Sequence, residues 1–398
     1  MGRLDLAGCA HLMRSVNAAL DKLGTTIFTV MSALSVEHDA VNLGQGFPDE
    51  DGPEDIRREA ARVALEGPNQ YPPMMGMPQL RQAVAAYNRR FYGMEVDWER
   101  QVIVTSGATE ALTSSLLALL NPGDEVVLIE PVYDCYLPIV ELAGATARMV
   151  RLEPPSWSLP EQALRDAFGP KTKLILLNSP MNPTGKVFTI SELALIADLV
   201  QAHDAYAVCD EVYEHLVFAG AEHIPLMTLP GMADRTVRIG SAGKTFSLTG
   251  WKVGYLTGAP DLVAAIAKAH QFITFTTPPA LQLGTALGLS KPNAYFETLA
   301  NDMAAKRDRL VQGLDQAGFG VLPSDGTYFV TADIRPLGIN MDDTAFAQHL
   351  VRKARVGTVP VSAFYPAEGP NHFVRFCFCK KPAVLDQAID RLMTSLGA

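Results

Sequence analysis

The sequence predicts an α/β fold in which helices cover both faces of a mainly parallel sheet. From about residue 100, short runs rich in Val, Ile and Leu alternate with longer amphipathic stretches. The strand candidates are QVIVTS, EVVLIE, TKLILLN, AYAVCDE, TVRIGS and VGYLTG. Helix-like patterns such as ATEALTSSLLALL and SELALIADLVQAH lie between several of them, and Ser191 is the predicted N-cap of the second. We assign this alternating region, residues 51–285, to one large α/β domain.

The pattern changes after residue 285. A long helical stretch, PNAYFETLANDMAAKRDRLVQGLDQAG, is followed by the short strand candidates GTYFVTAD, VGTVPVS and HFVRFCFC and by a closing helix. This order predicts a smaller α+β domain over residues 286–398. The segment VNLGQGFPDEDGP is loop-like because of its Gly and Pro content. We expect residues 1–50 to pack with the smaller domain.

Charge and hydropathy narrow the classes of function. A formal charge of −10 over 398 residues argues against a nucleic-acid binder, because such proteins need a basic face. No run approaches the roughly 18 consecutive apolar residues of a membrane span, and the stretch MGRLDLAGCAHLMR lacks a signal-peptide core. We therefore expect a cytoplasmic protein with no nucleic-acid or membrane partner.

The cysteines give no sign of disulfides or metal binding. They are Cys9, Cys135, Cys209, Cys377 and Cys379, an odd and scattered set that predicts reduced thiols. Strand alternation places Cys377 and Cys379 on one face, but no second Cys or His cluster has the spacing of a zinc site. We expect no metal.

Polar residues follow the predicted strands, where ligands bind in an open parallel sheet. Ser106, Gly107, Ala108 and Thr109 open a helix after the first strand, and the free N–H groups of a first helical turn can bind an anion. The other strand ends carry Tyr133, Asn182, Asp210 with Tyr213, and Lys244. Each residue alone has an ordinary reading as a cap, a turn or a packed side chain. Their shared position favours one binding site.

The chemistry of this set matches one ligand. A confined amine can form a Schiff base with an aldehyde, and a nearby cation helps lower its pKa. A carboxylate can keep a pyridine nitrogen protonated, while a tyrosine and an asparagine can bind a phenolate oxygen. Hydroxyls, helix-start N–H groups and a cation can hold a phosphate. Pyridoxal phosphate requires these groups of its protein.

The motifs NSPMNPTGK, CDEVYEHLVF and SAGKTFSLTGWKVGY, in that order, resemble those of class I aminotransferases of the fold-type I pyridoxal-phosphate enzymes. The stretches VNLGQGFPDEDGP, NQYPPMMGMPQLR, IEPVYDCYLP and HFVRFCFCK are similar to the branch that contains kynurenine aminotransferase, glutamine transaminase K and bacterial N-succinyldiaminopimelate and methionine aminotransferases. The resemblance implies a large domain with a mainly parallel seven-stranded sheet. It also implies pyridoxal 5′-phosphate as cofactor and a homodimer with shared active sites.

The resemblance implies roles at the cofactor ring. Lys244 matches the Schiff-base lysine, which also moves the proton between the substrate Cα and the cofactor. Asp210 matches the partner of the pyridine nitrogen, and Tyr133 the aromatic side chain stacked on the ring. Tyr213 and Asn182 match the groups on the ring oxygen.

The resemblance also implies how the cofactor phosphate and the substrate are bound. The matching phosphate-site residues are Gly107, Ala108, Thr109, Ser241, Lys252 and, from the neighbouring subunit, Tyr71. Many class I enzymes have Arg where this chain has Lys252, and a lysine binds phosphate without bidentate geometry. Arg375 matches the arginine on the substrate α-carboxylate, and Gly46 closes over the same group. Strand alternation independently separates Arg375 from Val374 and Phe376, although a structural ion pair would explain it equally well.

The resemblance implies an aminotransferase (EC 2.6.1.-) that moves an amino group from an L-amino acid to a 2-oxo acid. The same site could instead catalyse β-elimination on cysteine conjugates, because both reactions share the Cα carbanion. Aminotransferase-like regulatory proteins are a third class, which the acidic charge and the lack of a recognisable DNA-binding domain disfavour. The side-chain pocket, lined by the segment around Ile27 and Phe28 and by loops from both subunits, is expected to be apolar and to accept Met, Gln or aromatic substrates. Asn182 is a further candidate substrate contact, and two motifs are most similar to succinyldiaminopimelate enzymes.

Overall fold

The computed structural model describes residues 17–218 and 220–396. The β-strands are β1 Val41–Asn42, β2 Val102–Ser106, β3 Glu125–Glu130, β4 Thr146–Arg151, β5 Thr172–Asn178, β6 Tyr206–Asp210, β7 Thr236–Ser241, β8 Val253–Gly258, β9 Gly320–Val321, β10 Phe329–Asp333, β11 Val356–Gly357, β12 Val359–Pro360 and β13 Phe373–Cys377. The α-helices are α1 Ala18–Asp21, α2 Ile27–Glu37, α3 Glu54–Glu66, α4 Pro78–Tyr92, α5 Trp98–Gln101, α6 Gly107–Leu119, α7 Tyr136–Leu142, α8 Glu161–Ala167, α9 Ile190–Ala202, α10 Ala242–Thr245, α11 Pro260–Ile273, α12 Pro279–Leu289, α13 Asn293–Gln316, α14 Asp343–Ala354 and α15 Pro382–Leu396. Within this described part, every helix is too short or too polar to cross a membrane.

A seven-stranded sheet forms the centre of the fold, with the order β2-β8-β7-β6-β5-β3-β4. Its strands are parallel except β8, which runs antiparallel to both β2 and β7. The strand candidates of this region are therefore confirmed. The apolar runs did not indicate β4, because this edge strand alternates exposed and half-buried residues and contains Arg148 and Arg151.

Apolar clusters cover both faces of this sheet. On one face, α6, α7 and α11 pack against β2, β3, β5, β6, β7 and β8. On the other face, α8 and α9 pack against β3, β4, β5 and β6. This burial on both faces explains why the central strands are continuous Val, Ile and Leu runs.

Helix α9 begins earlier than the sequence prediction. Thr189, and not Ser191, is its N-cap. The Thr189 side chain accepts from the backbone N–H of Glu192, whose carboxylate in turn accepts from the backbone N–H of Thr189. This reciprocal pair satisfies two free donors, which the Ser191 hydroxyl alone could not do.

A second sheet, with the order β12-β13-β10-β9, is antiparallel and packs against α13, α14 and α15. The predicted strand VGTVPVS is two short strands instead. Of these, β11 pairs with β1, whereas β12 pairs with β13. The β1 pairing and the contact of α2 with α14 attach the N-terminal segment to this part of the fold. The division at residues 50 and 285 stays a prediction.

The cysteines of the described residues carry free thiols, namely Cys135, Cys209, Cys377 and Cys379. Cys377 and Cys379 lie on one face as predicted, since their Sγ atoms are 3.1 Å apart. Cys9 lies outside the described residues.

Candidate active site

A cavity of about 380 Å³ lies beyond the carboxyl ends of the parallel strands. The strands β2, β5, β6 and β7 end at this edge of the sheet, and β13 of the second sheet closes the cavity from the other side. The cavity brings together nearly all of the predicted site residues: Phe28, Gly46, Gly107, Ala108, Thr109, Tyr133, Asn182, Asp210, Tyr213, Ser241, Lys244, Lys252 and Arg375.

Lys244 lies on the short helix α10, directly after β7. Its Nζ donates to the carbonyl of Gly46 at 3.5 Å and lies over the rings of Tyr213 and Tyr328, 5.7 and 5.6 Å from their centroids. Burial lowers the pKa of Lys244, while the thiol of Cys379 and the carboxylate of Asp210 oppose the shift. The neutral amine is thereby favoured, and it is the nucleophilic form.

Asp210 is the last residue of β6 and is buried at the bottom of the cavity. Its carboxylate accepts from the Tyr136 hydroxyl at 2.8 Å and from the Val212 backbone N–H at 3.4 Å. Burial raises the pKa of Asp210, and the Tyr136 hydrogen bond opposes this shift. In the described residues, no cation lies within ion-pair distance of this carboxylate. A ligand with a positive charge would stabilise its ionised form.

Arg375 contributes a buried positive charge to the same cavity. Its guanidinium lies in β13, and 1% of the residue's surface is exposed. It donates to the Asn182 side-chain oxygen at 2.8 Å and to the Gly44 carbonyl at 2.7 Å, and it lies 3.9 Å from the centre of the Phe329 ring. Its Nε is buried without a partner, and no carboxylate of the described residues pairs with it. These contacts argue against the structural ion pair that the sequence left open. The cavity therefore contains an unneutralised cation that fits a carboxylate.

An anion seat lies at the start of α6. Gly107 has a φ of 74°, and a side chain at Gly254 would collide with the Gly107 backbone at 2.5 Å, so this approach of β8 requires glycine. The Ser106 side chain does not cap α6, which leaves the N–H groups of Ala108 and Thr109 facing the cavity. The Lys252 ammonium lies beside Gly107. Together these groups can bind a phosphate.

The remaining predicted residues surround the space between these charges. Asn182 accepts from Arg375 through its side-chain oxygen, so its amide nitrogen can donate to a ligand. Tyr213 packs edge-to-face on Tyr328, with ring centroids 5.1 Å apart, and burial raises its pKa well above the usual value. Tyr133 is half-buried at the cavity wall.

This arrangement fits the cofactor that the sequence predicts. The buried carboxylate of Asp210 suits a protonated pyridine nitrogen, and the anion seat suits a phosphate. The buried amine of Lys244, whose pKa is lowered by burial, suits an aldehyde carbon. The roles assigned to the individual residues stay predictions.

Among the residues that the sequence prediction missed are three that hold polar groups of this site in place. The Tyr136 hydroxyl donates to the Asp210 carboxylate. The side chain of Asn178 donates to the Asp210 backbone carbonyl at 2.9 Å and accepts from the Asn182 backbone N–H at 2.8 Å. The Tyr328 hydroxyl donates to the Gly46 carbonyl. Asn178 ends a predicted strand and Tyr136 lies three positions after Tyr133, so both had a local signal. Ile27 is not part of the lining of this cavity in the described chain; it packs against Met31, Ala347 and Val351.

Tyr71 also lies apart from the cavity. It is 85% exposed and packs edge-to-face on Phe275, with ring centroids 5.5 Å apart. Phe272 and Ile273 end helix α11, just before Phe275 in the chain. Phe272 is 86% exposed, and Ile273 is also exposed. These side chains form an apolar patch of the kind found at protein interfaces.

Comparisons with known proteins agree with this architecture. The family model described as "Aminotransferase class I and II" matches residues 38–392. The solved structure of N-succinyldiaminopimelate aminotransferase from Mycobacterium tuberculosis is similar, with a TM-score of 0.93 and 46% identity over 96% of this chain and 100% of that chain. Methionine aminotransferase of Escherichia coli is 38% identical over 94% of this chain and 96% of that protein. Kynurenine–oxoglutarate transaminase 3 of Mus musculus is 37% identical over 93% of this chain and 88% of that protein.

Proposed function

The chain belongs to the class I and II aminotransferases, which use pyridoxal phosphate to transfer amino groups, and from this premise we propose which residues bind the cofactor and the substrate and which amino acids are the donors. The observation that carries the proposal is the pair of buried, unneutralised charges in one cavity, Asp210 and Arg375. A cofactor ring satisfies the first charge, and the α-carboxylate of an amino acid satisfies the second.

The chain supplies the contacts that hold the cofactor. Ser241, Lys252 and the N–H groups of Ala108 and Thr109 bind its phosphate. Asp210 binds the ring nitrogen, Tyr213 and Asn182 bind the ring oxygen, and Tyr133 covers one face of the ring. When bound, pyridoxal phosphate supplies an aldehyde that takes up the amino group and a ring that withdraws electrons from the substrate Cα.

The other side chains bind the substrate and move its proton. Arg375 orients the amino acid through its α-carboxylate, and the Gly46 backbone closes over the same group. The Lys244 Nζ removes the proton from Cα and returns it, since its lowered pKa keeps the amine available as a base. Phe28 and Phe329 are apolar walls that exclude water from this space.

The donors are L-amino acids with bulky, uncharged side chains, of the methionine, glutamine or kynurenine type. The cationic residues that line the described cavity are Lys244, Lys252 and Arg375, and each has a partner in the scheme above. A distal carboxylate, as in N-succinyldiaminopimelate, would meet Asp134 and aromatic rings in this subunit. The charges that line the cavity therefore favour a donor with an uncharged side chain.

A donor screen tests this proposal. We expect methionine, glutamine or kynurenine to convert the bound cofactor from its aldehyde to its amine form, observed by absorbance, with kcat/KM at least about tenfold above that for N-succinyl-LL-diaminopimelate, roughly the effect of one unpaired buried charge. Equal or higher kcat/KM for N-succinyldiaminopimelate would overturn the proposed side-chain preference. Pyruvate release from cysteine conjugates, measured in parallel, separates β-elimination from transfer.

The chain acts as a homodimer in the cytoplasm, with Tyr71 of each subunit completing the phosphate site of the other. Support comes from the exposed patch of Tyr71, Phe272 and Ile273 and from the observation that Tyr71 does not line the cavity of its own subunit. An exposed tyrosine in an apolar patch is costly unless it is covered by a partner.

Subunit mixing tests this arrangement. Lys244→Ala chains mixed with Tyr71→Ala chains should regain activity, because each hybrid has one native site and one site with both defects. When the two variants are mixed in equal amounts and pair at random, about half of the dimers are hybrids. Because one of the two sites in each hybrid is native, about a quarter of wild-type activity is expected. Lys244→Ala mixed with Asp210→Asn is the matched control and should stay inactive, since both residues serve the same subunit's site. Recovery no greater than in this control, after verified exchange, would contradict the shared site.

A further inference from the structure

Arg238 lies in the middle of β7 and is 1% exposed. Its strand neighbours Val237 and Ile239 belong to the apolar core. A charged side chain at such a position is costly unless it is paired, and replacing buried ion pairs by apolar residues often stabilises a fold. Stability alone is therefore a weak explanation for an arginine in the run TVRIGS.

Each of the three guanidinium nitrogens of Arg238 donates a hydrogen bond within a set of side chains that we call the Arg238 cluster: Arg238, Glu211, Glu214, Asn88, Tyr92 and His223. Arg238 donates to Glu211 at 2.6 Å, to Asn88 at 2.8 Å and to Glu214. The Tyr92 hydroxyl also donates to Glu214, at 2.6 Å, and His223 binds Glu211 at 3.0 Å.

Both glutamates of the cluster lie on the turn that follows β6. Asp210, the last residue of β6, and Tyr213 of this turn line the cavity, whereas Glu211 and Glu214 face away from it onto Arg238. In each pair the two residues are three positions apart. The Arg238 guanidinium thus binds the outer side of this segment at Glu211 and Glu214. The inner side presents Asp210 and Tyr213 to the cavity, also three positions apart.

The charges of the cluster show that this hold is electrostatic. Both glutamates are buried, and Arg238 is the guanidinium that they share. Burial raises the pKa of Glu214, but Arg238, His215 and the Tyr92 hydroxyl outweigh it, so the pKa of Glu214 lies below its usual value. Glu214 is therefore ionised at neutral pH, and its contact with Arg238 is a charged one.

We infer that Arg238 is a positioning residue for the reaction. By binding Glu211 and Glu214, it fixes the turn in the conformation that presents Asp210 to the cofactor ring nitrogen and Tyr213 to the ring oxygen. This inference rests on the roles proposed above for Asp210 and Tyr213.

The test measures cofactor affinity of the full chain, stripped of cofactor and titrated with pyridoxal phosphate, by tryptophan fluorescence. The main variant is Arg238→Lys, which keeps the charge but cannot bind both glutamates through a fork. We expect its Kd to rise about tenfold. Arg235→Lys is the matched control, because Arg235 immediately precedes β7 and pairs with the exposed Asp204, and its Kd should not change.

Double-mutant cycles separate positioning from general loosening of the fold. In an Asp210→Asn background, Arg238→Lys should raise the Kd by less than about threefold, since the contact that it positions is already weakened. In a Lys252→Ala background, which changes the phosphate end of the site, the full tenfold effect should remain. Equal effects in both backgrounds, or no effect in either, would overturn the inference.

Two further measurements keep the outcomes distinct. If Asp210→Asn alone leaves the Kd unchanged, the proposed role of Asp210 fails, and the inference fails with it. If Arg238→Lys does not fold, as judged by circular dichroism, Glu214→Gln takes its place in the same cycles, because it is isosteric and leaves Arg238 paired with Glu211. The effect of Glu214→Gln on the Kd should likewise be smaller in the Asp210→Asn background than in the Lys252→Ala background. If the effect is equal in both backgrounds, the inference is also overturned.

Discussion

Replacing Lys244 with alanine is expected to abolish turnover while the protein still folds and binds the cofactor. In the proposed scheme the amine of Lys244 both bonds the cofactor and moves the substrate proton, so its loss should lower kcat by about 10⁴-fold or more, the upper range for a positioned acid–base group. Asp210 and the phosphate seat remain, and they should hold the cofactor without the covalent bond. Steady-state kinetics and the absorbance of the dialysed protein measure both effects.

A chemical readout makes this prediction independent of activity. Borohydride reduction should attach the cofactor permanently to Lys244 in the wild-type chain, observed as a mass increase on the peptide that contains Lys244. The mass increase should be absent in Lys244→Ala and unchanged in Lys353→Ala, a control at an exposed lysine on α14. Labelling of another lysine in the wild type, or multiple turnovers in Lys244→Ala, would show that the assignment is wrong.

Replacing Arg375 with alanine is expected to remove the requirement for an α-carboxylate. A hydrogen bond to a charged group contributes about 1.5–3 kcal/mol, so loss of a two-point contact should lower kcat/KM for amino acids by at least about tenfold. Lysine should restore only part of this loss, because it keeps the charge without the fork. The measurement compares each amino acid with its decarboxylated amine in wild type, Arg375→Ala and Arg375→Lys.

The ratio of the two substrates decides between binding and structure. In Arg375→Ala the preference for the amino acid over the amine should collapse, whereas Arg335→Ala, an exposed arginine paired with Asp333, should keep it. If Arg375→Ala slows both substrates equally, Arg375 serves the fold and the carboxylate contact is refuted. Thermal unfolding of each variant checks that the comparison is made on folded protein.

Most of the sheet was predictable from local pattern. Continuous apolar runs indicated β2, β3, β5, β6, β7 and β8, because strands buried on both faces have few polar positions. The edge strand β4 escaped, since its exposed side carries Arg148 and its apolar period is weak. The N-cap of α9 was misplaced because Ser191 resembles a cap by itself, whereas the pairing of Thr189 with Glu192 decides the boundary.

The sequence by itself determined which side chains follow the strands and therefore which can meet at one edge of the sheet. Asp210, Asn182 and Lys244 could be named because each follows a strand run within a few positions. The contacts among them depend on tertiary structure. Arg375 reaches Asn182 across 193 positions, Arg238 reaches Asn88 across 150, and β1 pairs with β11 far along the chain. Local periodicity carries no information about such distances, because burial of a charge and choice of its partner are fixed only when the packed elements exclude water.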